Sequence, residues 1–153
     1  MIDTKTVRSW IGDELRSAGL ERRGVVWRLL GADVLWLVYI DRVPFSRRLG
    51  VEIGLDLRAD STAERPTDCP IVLYLGSLLP TRDLWVFAAL DLNSGLDDAE
   101  RRQELGAALR ALGDFLRENV TLSSVRGAYA RGEFSHALIH KDARRVLEGV
   151  DPP

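Results

Sequence analysis

The clearest pattern in the chain is a strict alternation of apolar and polar positions over residues 49–58. Leucine, valine and isoleucine occupy the odd positions, whereas glycine and charged residues occupy the even ones. Because the side chains of a strand point alternately to its two faces, this pattern predicts a strand with one face on the core. Gly50 and Gly54 belong to the opposite face, so we expect that face to be thinly covered and available for contact.

Four further segments complete the predicted sheet. The apolar runs 25–30 and 34–40 are separated by the three residues 31–33, and a link of that length that contains glycine is typical of a hairpin. The apolar runs 71–75 and 84–90 predict two more strands. We therefore expect an antiparallel sheet of about five strands.

Helical periodicity marks both ends of the chain. The first helix begins after a capping residue, Asp3 or Thr4, and ends at Gly19, which can adopt the left-handed stop conformation. The last third of the chain predicts one long helix and two shorter ones over about 123–132 and 136–147. The predicted fold class is therefore α+β, with an N-terminal helix, an antiparallel sheet of about five strands and C-terminal helices.

The number of domains follows from chain length. A chain of 153 residues is typical of one domain, so residues 1–153 are interpreted as a single domain in which 150–153 form a frayed tail. Residues 59–70 contain two prolines and several small polar residues, which predicts a long mobile loop.

Composition and charge limit the classes of partner. The 21 basic residues against 23 acidic ones give a net charge of -2, which argues against non-specific nucleic-acid binding but permits a local basic patch. The longest apolar run, 34–40, is far shorter than a membrane span, so no membrane partner is expected. A lone Cys69 and an N-terminus without a basic-then-apolar pattern predict a cytoplasmic protein.

A metal site has only weak support in the sequence. His136 and His140 lie four residues apart on a predicted helix, where Asp142 could supply a third ligand. The HExxH motif requires a glutamate where this chain has Ala137, so solvated or capping histidines are favoured.

Acid–base chemistry would have to use the outward face of the alternating strand. Glu52 and Asp56 point to the same side of it, but four residues place them about 13 Å apart, too far for one metal ion. Any such scheme would recruit Asp41 or another partner, and solvated carboxylates paired with Arg28 or Arg58 are favoured.

The sequence carries no cofactor motif. A glycine-rich phosphate loop, GxSxG and CxxC are all lacking, and Cys69 has no basic neighbours, so we interpret it as a structural thiol and predict no cofactor. An enzyme without a motif remains an alternative.

The densest positive cluster surrounds an aromatic residue. Arg42, Arg47 and Arg48 flank Phe45 in the turn before the alternating strand, and such a turn can anchor an acidic partner. A solvated loop is the alternative interpretation. The candidate interaction surface combines this turn with the outer sheet face, and comprises Arg28, Arg42, Phe45, Arg47, Arg48, Glu52 and Asp56.

Several phrases resemble a group of bacterial proteins, domain-of-unknown-function family number 4304. Residues 14–27, ELRSAGLERRGVVW, resemble its opening phrase, 49–57 its alternating strand, and 67–80, TDCPIVLYLGSLLP, its cysteine-led strand. The family usually has Gln-Lys-Ser where this chain has Asp41-Arg42-Val43, and Cys-His where it has Cys69-Pro70. The resemblance implies a small stand-alone domain, in some cases an immunity or accessory protein, and these departures imply that any chemistry of those polar residues is not shared.

Three functional hypotheses follow from the sequence. The first is a non-enzymatic protein-binding domain, such as a bacterial immunity or accessory protein, which uses the outer sheet face and the arginine turn. The alternative is a small-molecule or nucleotide-processing enzyme built from Glu52, Asp56 and Arg28 beside the 59–70 loop. A homo-oligomer with a symmetric apolar patch is the third interpretation.

Overall fold

The chain folds as an antiparallel sheet with helices against one face. The structure, a computed structural model, describes residues 2–152. Its elements in chain order are α1 (Thr4–Ser17), β1 (Glu21–Arg23), β2 (Val26–Leu30), β3 (Leu35–Arg42), β4 (Leu49–Asp56), β5 (Ile71–Tyr74), α2 (Asp83–Leu90), α3 (Asp98–Glu118), α4 (Leu122–Ala130), β6 (Leu138–Ile139) and α5 (Lys141–Leu147). The predicted α+β class is confirmed, with six strands in the described part of the chain rather than about five.

The strands pair in chain order, each antiparallel to its neighbour. β1 to β5 follow one another directly, whereas the chain passes through α2, α3 and α4 before β6 pairs with β5 at the edge. The predicted hairpin is β2 and β3, in register from Val26 opposite Tyr39 to Leu30 opposite Leu35. The alternating strand is β4, and its odd-numbered residues are buried as predicted.

The main core lies between the sheet and the helices α1 and α3. Trp36 of β3 is completely buried at its centre, and its indole N–H donates a hydrogen bond of 2.8 Å to the carbonyl oxygen of Asn119. Phe115 of α3 packs edge-on against that indole at 5.8 Å between ring centroids. We call the opposite face of the sheet, which carries the even-numbered residues of β4, the outer face.

The predictions for the ends of α1 are confirmed. The Asp3 side chain accepts a hydrogen bond of 2.8 Å from the Thr6 amide, and Gly19 adopts a φ of 95° immediately after the helix. At the other end of the chain, Asp151 accepts hydrogen bonds of 2.6 and 3.1 Å from the Arg145 guanidinium. Of the predicted frayed tail, Pro153 lies outside the described residues.

The prediction of a strand over 84–90 is wrong, because this segment is the helix α2. A short run that is apolar at almost every position has no period that separates a strand from a helix. Packing against α3 decides the outcome, because Val86, Ala89 and Leu90 then share one buried face at helical spacing.

The last predicted helix is also corrected. It begins at Lys141 rather than near residue 136, because Leu138 and Ile139 extend to pair with β5. His140 is therefore the N-cap of α5, and His136 lies in the preceding turn. No helix within residues 2–152 has the length and apolar character needed to cross a bilayer.

Candidate interaction surface

The predicted arginine turn, which runs from Arg42 at the end of β3 to Arg48 just before β4, packs against α2. The Arg48 guanidinium lies 4.8 Å from the centre of the Phe87 ring, and the backbone of Arg48 forms a bridge with Asp91 just after α2. The carbonyl oxygen of Arg47 accepts a hydrogen bond of 3.0 Å from the Leu92 amide. A cation over an aromatic ring contributes about 0.5–1 kcal/mol at an exposed site. The turn and the end of α2 therefore form one continuous surface.

Phe45 is held outward at the tip of this turn. Its side chain is fully exposed, and its φ of 59° lies in the left-handed region that non-glycine residues seldom adopt. The amide of Val43 donates a hydrogen bond of 3.0 Å to the carbonyl of Arg48, and the Ser46 hydroxyl donates one of 2.9 Å to the carbonyl of Val43. These hydrogen bonds maintain a strained conformation that presents an aromatic ring to the solvent.

The exposed face of α2 carries three large apolar side chains. Leu84 is 84% exposed, Trp85 58% and Phe87 50%, and we call these three residues the α2 patch. Trp85 is exposed, whereas Trp27 and Trp36 belong to the core. Large apolar side chains left exposed together on one short helix are typical of interaction sites.

A buried arginine fixes α2 in its place. The side chain of Arg101 on α3 is only 1% exposed. Its guanidinium donates four hydrogen bonds to backbone carbonyls at and beyond the end of α2, to Ala88 (3.2 Å), Ala89 (2.8 Å), Asp91 (2.9 Å) and Leu96 (3.3 Å). The last carbonyls of a helix lack partners within the helix, and Arg101 supplies donors for them. The sequence offered no signal for this role, because Arg101 looks like any other arginine of the amphipathic helix.

The outer face of the sheet is partly covered by the chain itself. Residues 59–70 lie across it, and a Cβ atom placed on Gly54 would be 2.5 Å from the Cα of Pro66. A Cβ on Gly50 would have no neighbour within 4 Å. A second small core, formed by Val26, Leu35, Leu37 and Cys69, lies beneath this cover. The expectation of a thinly covered outer face therefore holds at Gly50 and fails at Gly54.

The covering segment separates the two predicted carboxylates. In the strand register Glu52 lies opposite Tyr39 and Tyr74, whereas Asp56 lies two rows away opposite Leu35. The Pro66 contact with Gly54 occupies the row between them. Asp56 accepts a hydrogen bond of 2.6 Å from the Ser61 hydroxyl and so helps to hold the segment down.

Glu52 is the carboxylate with the more perturbed environment. Burial raises its pKa above 4.5, and the nearby charge of Asp41 raises it further, while a hydrogen bond with Tyr74 and the positive charge of Arg65 act in the opposite direction. The pKa of Tyr74 is raised as well, chiefly by burial and then by the charge of Glu52. Both shifts favour the protonated form of the group.

The raised pKa of Glu52 predicts a pH-dependent effect of Glu52→Gln. A carboxyl whose folded-state pKa lies above its unfolded value favours folding when it is protonated and loses that contribution as pH rises through the folded pKa. We therefore expect Glu52→Gln to unfold at a higher temperature than the wild type at about pH 7, with the difference vanishing below about pH 4. Thermal melts of both proteins at a series of pH values test this, and a glutamine variant that is less stable at neutral pH contradicts it.

The remaining candidates for chemistry have structural roles. The Nδ1 atom of His140 accepts a hydrogen bond of 3.2 Å from the Asp142 amide, which confirms the capping interpretation. Burial, together with the charges of Asp56 and Asp68, raises the pKa of Cys69 to about 12, so the thiol stays protonated. Within residues 2–152 no three residues of the types that bind metals lie close enough together to hold an ion.

The seven predicted surface residues fall into two groups. Arg42, Phe45, Arg47 and Arg48 stay together at the turn beside α2, whereas Arg28, Glu52 and Asp56 lie on the outer face, on different rows of the sheet. Comparisons with protein-family models, with curated proteins and with solved structures found no match for this chain. The resemblance to family 4304 therefore stays a prediction.

Proposed function

We propose that this chain is a non-enzymatic protein-binding domain whose contact surface is the arginine turn together with the α2 patch. The observation that carries the proposal is the exposure of Leu84, Trp85 and Phe87 on one short helix. Leaving such side chains in water is unfavourable, at about 25 cal/mol for each Å² of apolar surface. A partner that covers them recovers that free energy.

The composition of this surface matches the centre of protein interfaces. Tryptophan and arginine are the residues most enriched among those that dominate binding energy, and tyrosine and phenylalanine are enriched at interfaces as well. Trp85 and Phe87 lie on α2, Arg48 stacks on Phe87, and Phe45 projects from the adjoining turn. The surface therefore combines apolar anchors with a positive rim.

The charge of the rim indicates the chemistry of the partner. Arg42 is exposed and has no ion pair within residues 2–152, and Arg48 contacts the face of an aromatic ring rather than a carboxylate. We infer a partner protein with an apolar centre and carboxylates at the edge of its contact surface. An immunity or accessory role, which the resemblance to family 4304 implies, requires only such binding and no chemistry.

The enzyme alternative has less support. A site built from Glu52, Asp56 and Arg28 needs these side chains around one cavity, but neither carboxylate is among the residues that line the cavity beside Arg28. The hydrogen bond from Ser61 also engages Asp56 in holding residues 59–70.

The proposal predicts that Trp85→Ala abolishes most of the binding to a protein partner. Loss of a central aromatic anchor costs about 2 kcal/mol or more, which corresponds to an affinity loss of about 30-fold. The partner is identified by affinity purification from the native host, then purified and titrated by calorimetry against wild type, Trp85→Ala and Leu84→Gln. Leu30→Gln is the matched control, because Leu30 is a comparably exposed leucine away from α2.

Two results contradict the proposal. One is a purified partner that binds wild type and Trp85→Ala equally well. The other is a dimer of this chain in sedimentation equilibrium that dissociates on Trp85→Ala, since the second copy would then be the occupant of the α2 patch.

A further inference from the structure

A cavity of about 390 Å³ lies between the turn that joins β1 to β2 and the segment 59–70. Three arginines, Arg23, Arg28 and Arg65, and one carboxylate, Glu64, are among its lining residues. The rest of its wall is glycine and short apolar side chains. None of the residues of the α2 patch or the arginine turn lines it, so this cavity is separate from the proposed protein-binding surface.

The charge of this cavity differs from that of the whole chain. Three guanidinium groups and one carboxylate amount to a local charge of +2, in a protein with a net charge of -2. None of the three arginines has a carboxylate within 4.0 Å among the described residues. Glu21 lies opposite Arg28 in the strand register, yet the two form no ion pair. Glu64 is the one carboxylate among the lining residues, so an excess of positive charge remains at the cavity, which a bound anion would balance.

Two of the arginines are held in position by the fold. Arg28 belongs to β2, and its Nε atom is buried without a hydrogen-bond acceptor in the described part of the chain. The Arg65 guanidinium lies 5.0 Å from the centre of the Tyr39 ring. The backbone amides of Glu64 and Arg65 donate hydrogen bonds of 3.1 and 3.0 Å to one carboxylate oxygen of Asp68, and these bonds fix this part of the segment. A binding group that is ordered in advance loses less entropy when a ligand arrives.

We propose that this cavity binds the phosphate monoester group of a small organic molecule. A phosphate monoester dianion balances the local charge of +2, and the planar fork of arginine matches phosphate oxygens in pairs. The volume lies within the range of about 300–1,000 Å³ that is usual for small-molecule sites. Val25, Val26 and Ala63 form an apolar wall against which the rest of the molecule packs.

A neighbouring cavity defines the competing ligand. This second cavity has a volume of about 420 Å³ and shares Val25 with the first. Its lining includes the basic residues Lys5, Arg8, Arg16 and Arg22. An RNA strand could run across both cavities, which would require free cations in each. In the second cavity Arg16 lies 3.4 Å from Asp13, and the Arg22 Nε atom donates a hydrogen bond of 2.9 Å to the Gly24 carbonyl, whereas Lys5 and Arg8 have no ion pair among the described residues. All three arginines of the first cavity lack an ion pair, so the first cavity has the larger excess of unpaired positive charge, and this favours a small phosphorylated ligand there.

The test compares phosphorylated and unphosphorylated probes on the full chain. Inorganic phosphate, adenosine 5′-monophosphate, adenosine and a single-stranded RNA decamer are titrated by calorimetry and by ligand-observed NMR. We expect the two phosphate probes to bind and adenosine not to bind. Arg28→Gln and Arg65→Gln should each weaken phosphate binding about tenfold, and Glu64→Gln should strengthen it, because it removes the opposing charge.

The controls keep this proposal distinct from the others. Arg8→Gln in the second cavity and Trp85→Ala on the α2 patch should leave phosphate binding unchanged. Because Arg65 is exposed, its variant stays folded even if Arg28→Gln does not, and unfolding curves check both. The proposal is overturned if neither phosphate probe binds at about 10 mM, if Arg8→Gln weakens binding as much as Arg65→Gln, or if only the RNA decamer binds.

Discussion

Replacing Arg101 with leucine is expected to lower the free energy of unfolding by about 3 kcal/mol or more, because each backbone carbonyl that stays buried without a donor costs about 1–3 kcal/mol. Four carbonyls accept hydrogen bonds from this guanidinium. Two of them have a second donor, since the carbonyl of Ala88 also accepts a hydrogen bond from the Ser94 hydroxyl and that of Asp91 one from the Ser94 amide, so the loss is smaller at both. Equilibrium denaturation by urea, followed by circular dichroism, measures the change.

Arg110→Leu is the matched control for this exchange. Arg110 lies on the same helix, but it is exposed and pairs with Glu14 at 3.3 Å, and exposed pairs contribute at most about 1 kcal/mol. Because Arg101 anchors the end of α2, its loss should also weaken partner binding through the α2 patch, and Arg110→Leu should not. An Arg101→Leu protein as stable as Arg110→Leu would show that the buried guanidinium is not what holds α2 to α3.

The second large effect concerns two glycines that the sequence pattern places in equivalent positions. Gly54→Ala is expected to destabilise the fold by about 1–3 kcal/mol, since its Cβ would lie 2.5 Å from the Cα of Pro66 and 2.9 Å from the Sγ of Cys69. Gly50→Ala on the same strand has open space around its Cβ and should be neutral or stabilising by about 0.5 kcal/mol, because alanine loses less backbone entropy on folding. Neither glycine has a φ in the left-handed region.

The same pair of variants tests the position of residues 59–70. If Pro66 is displaced in Gly54→Ala, the cavity beside Arg28 loses the wall that Ala63 and Arg65 provide, and phosphate binding should fall with stability. Urea denaturation and the phosphate titration measure the two changes. Equal stability of the two alanine variants would contradict the close contact between Gly54 and Pro66. It would indicate that the outer face is open at Gly54 as well, as the alternation alone predicts.

Local chemistry was sufficient to predict several elements of this fold. Asp3 and Gly19 mark the ends of α1 because a side-chain acceptor and a left-handed glycine act over three or four residues. The β2–β3 hairpin and β4 follow from apolar spacing, which needs no knowledge of the partner strands. The cluster of arginines around Phe45 was also predictable, because its residues adjoin in sequence.

The errors concern segments whose structure depends on distant partners. β1 has no apolar pattern at all, and β6 has two residues that become a strand only because β5 offers a free edge. The run 84–90 has apolar residues at nearly every position, so burial of one face against α3 and the hydrogen bonds from Arg101 make it a helix. The α2 patch could not be predicted while that run was interpreted as a strand.

Periodicity and turn chemistry, which act over a few neighbouring residues, are enough to establish the fold class, the direction in which β4 faces and the cluster of arginines around Phe45. Contacts between residues far apart in sequence determine the rest. They cover Gly54 while leaving Gly50 open, expose Trp85 while burying Trp36, and bring Arg28 and Arg65 to one cavity. Exposure and convergence are properties of packing, and packing depends on which surfaces meet.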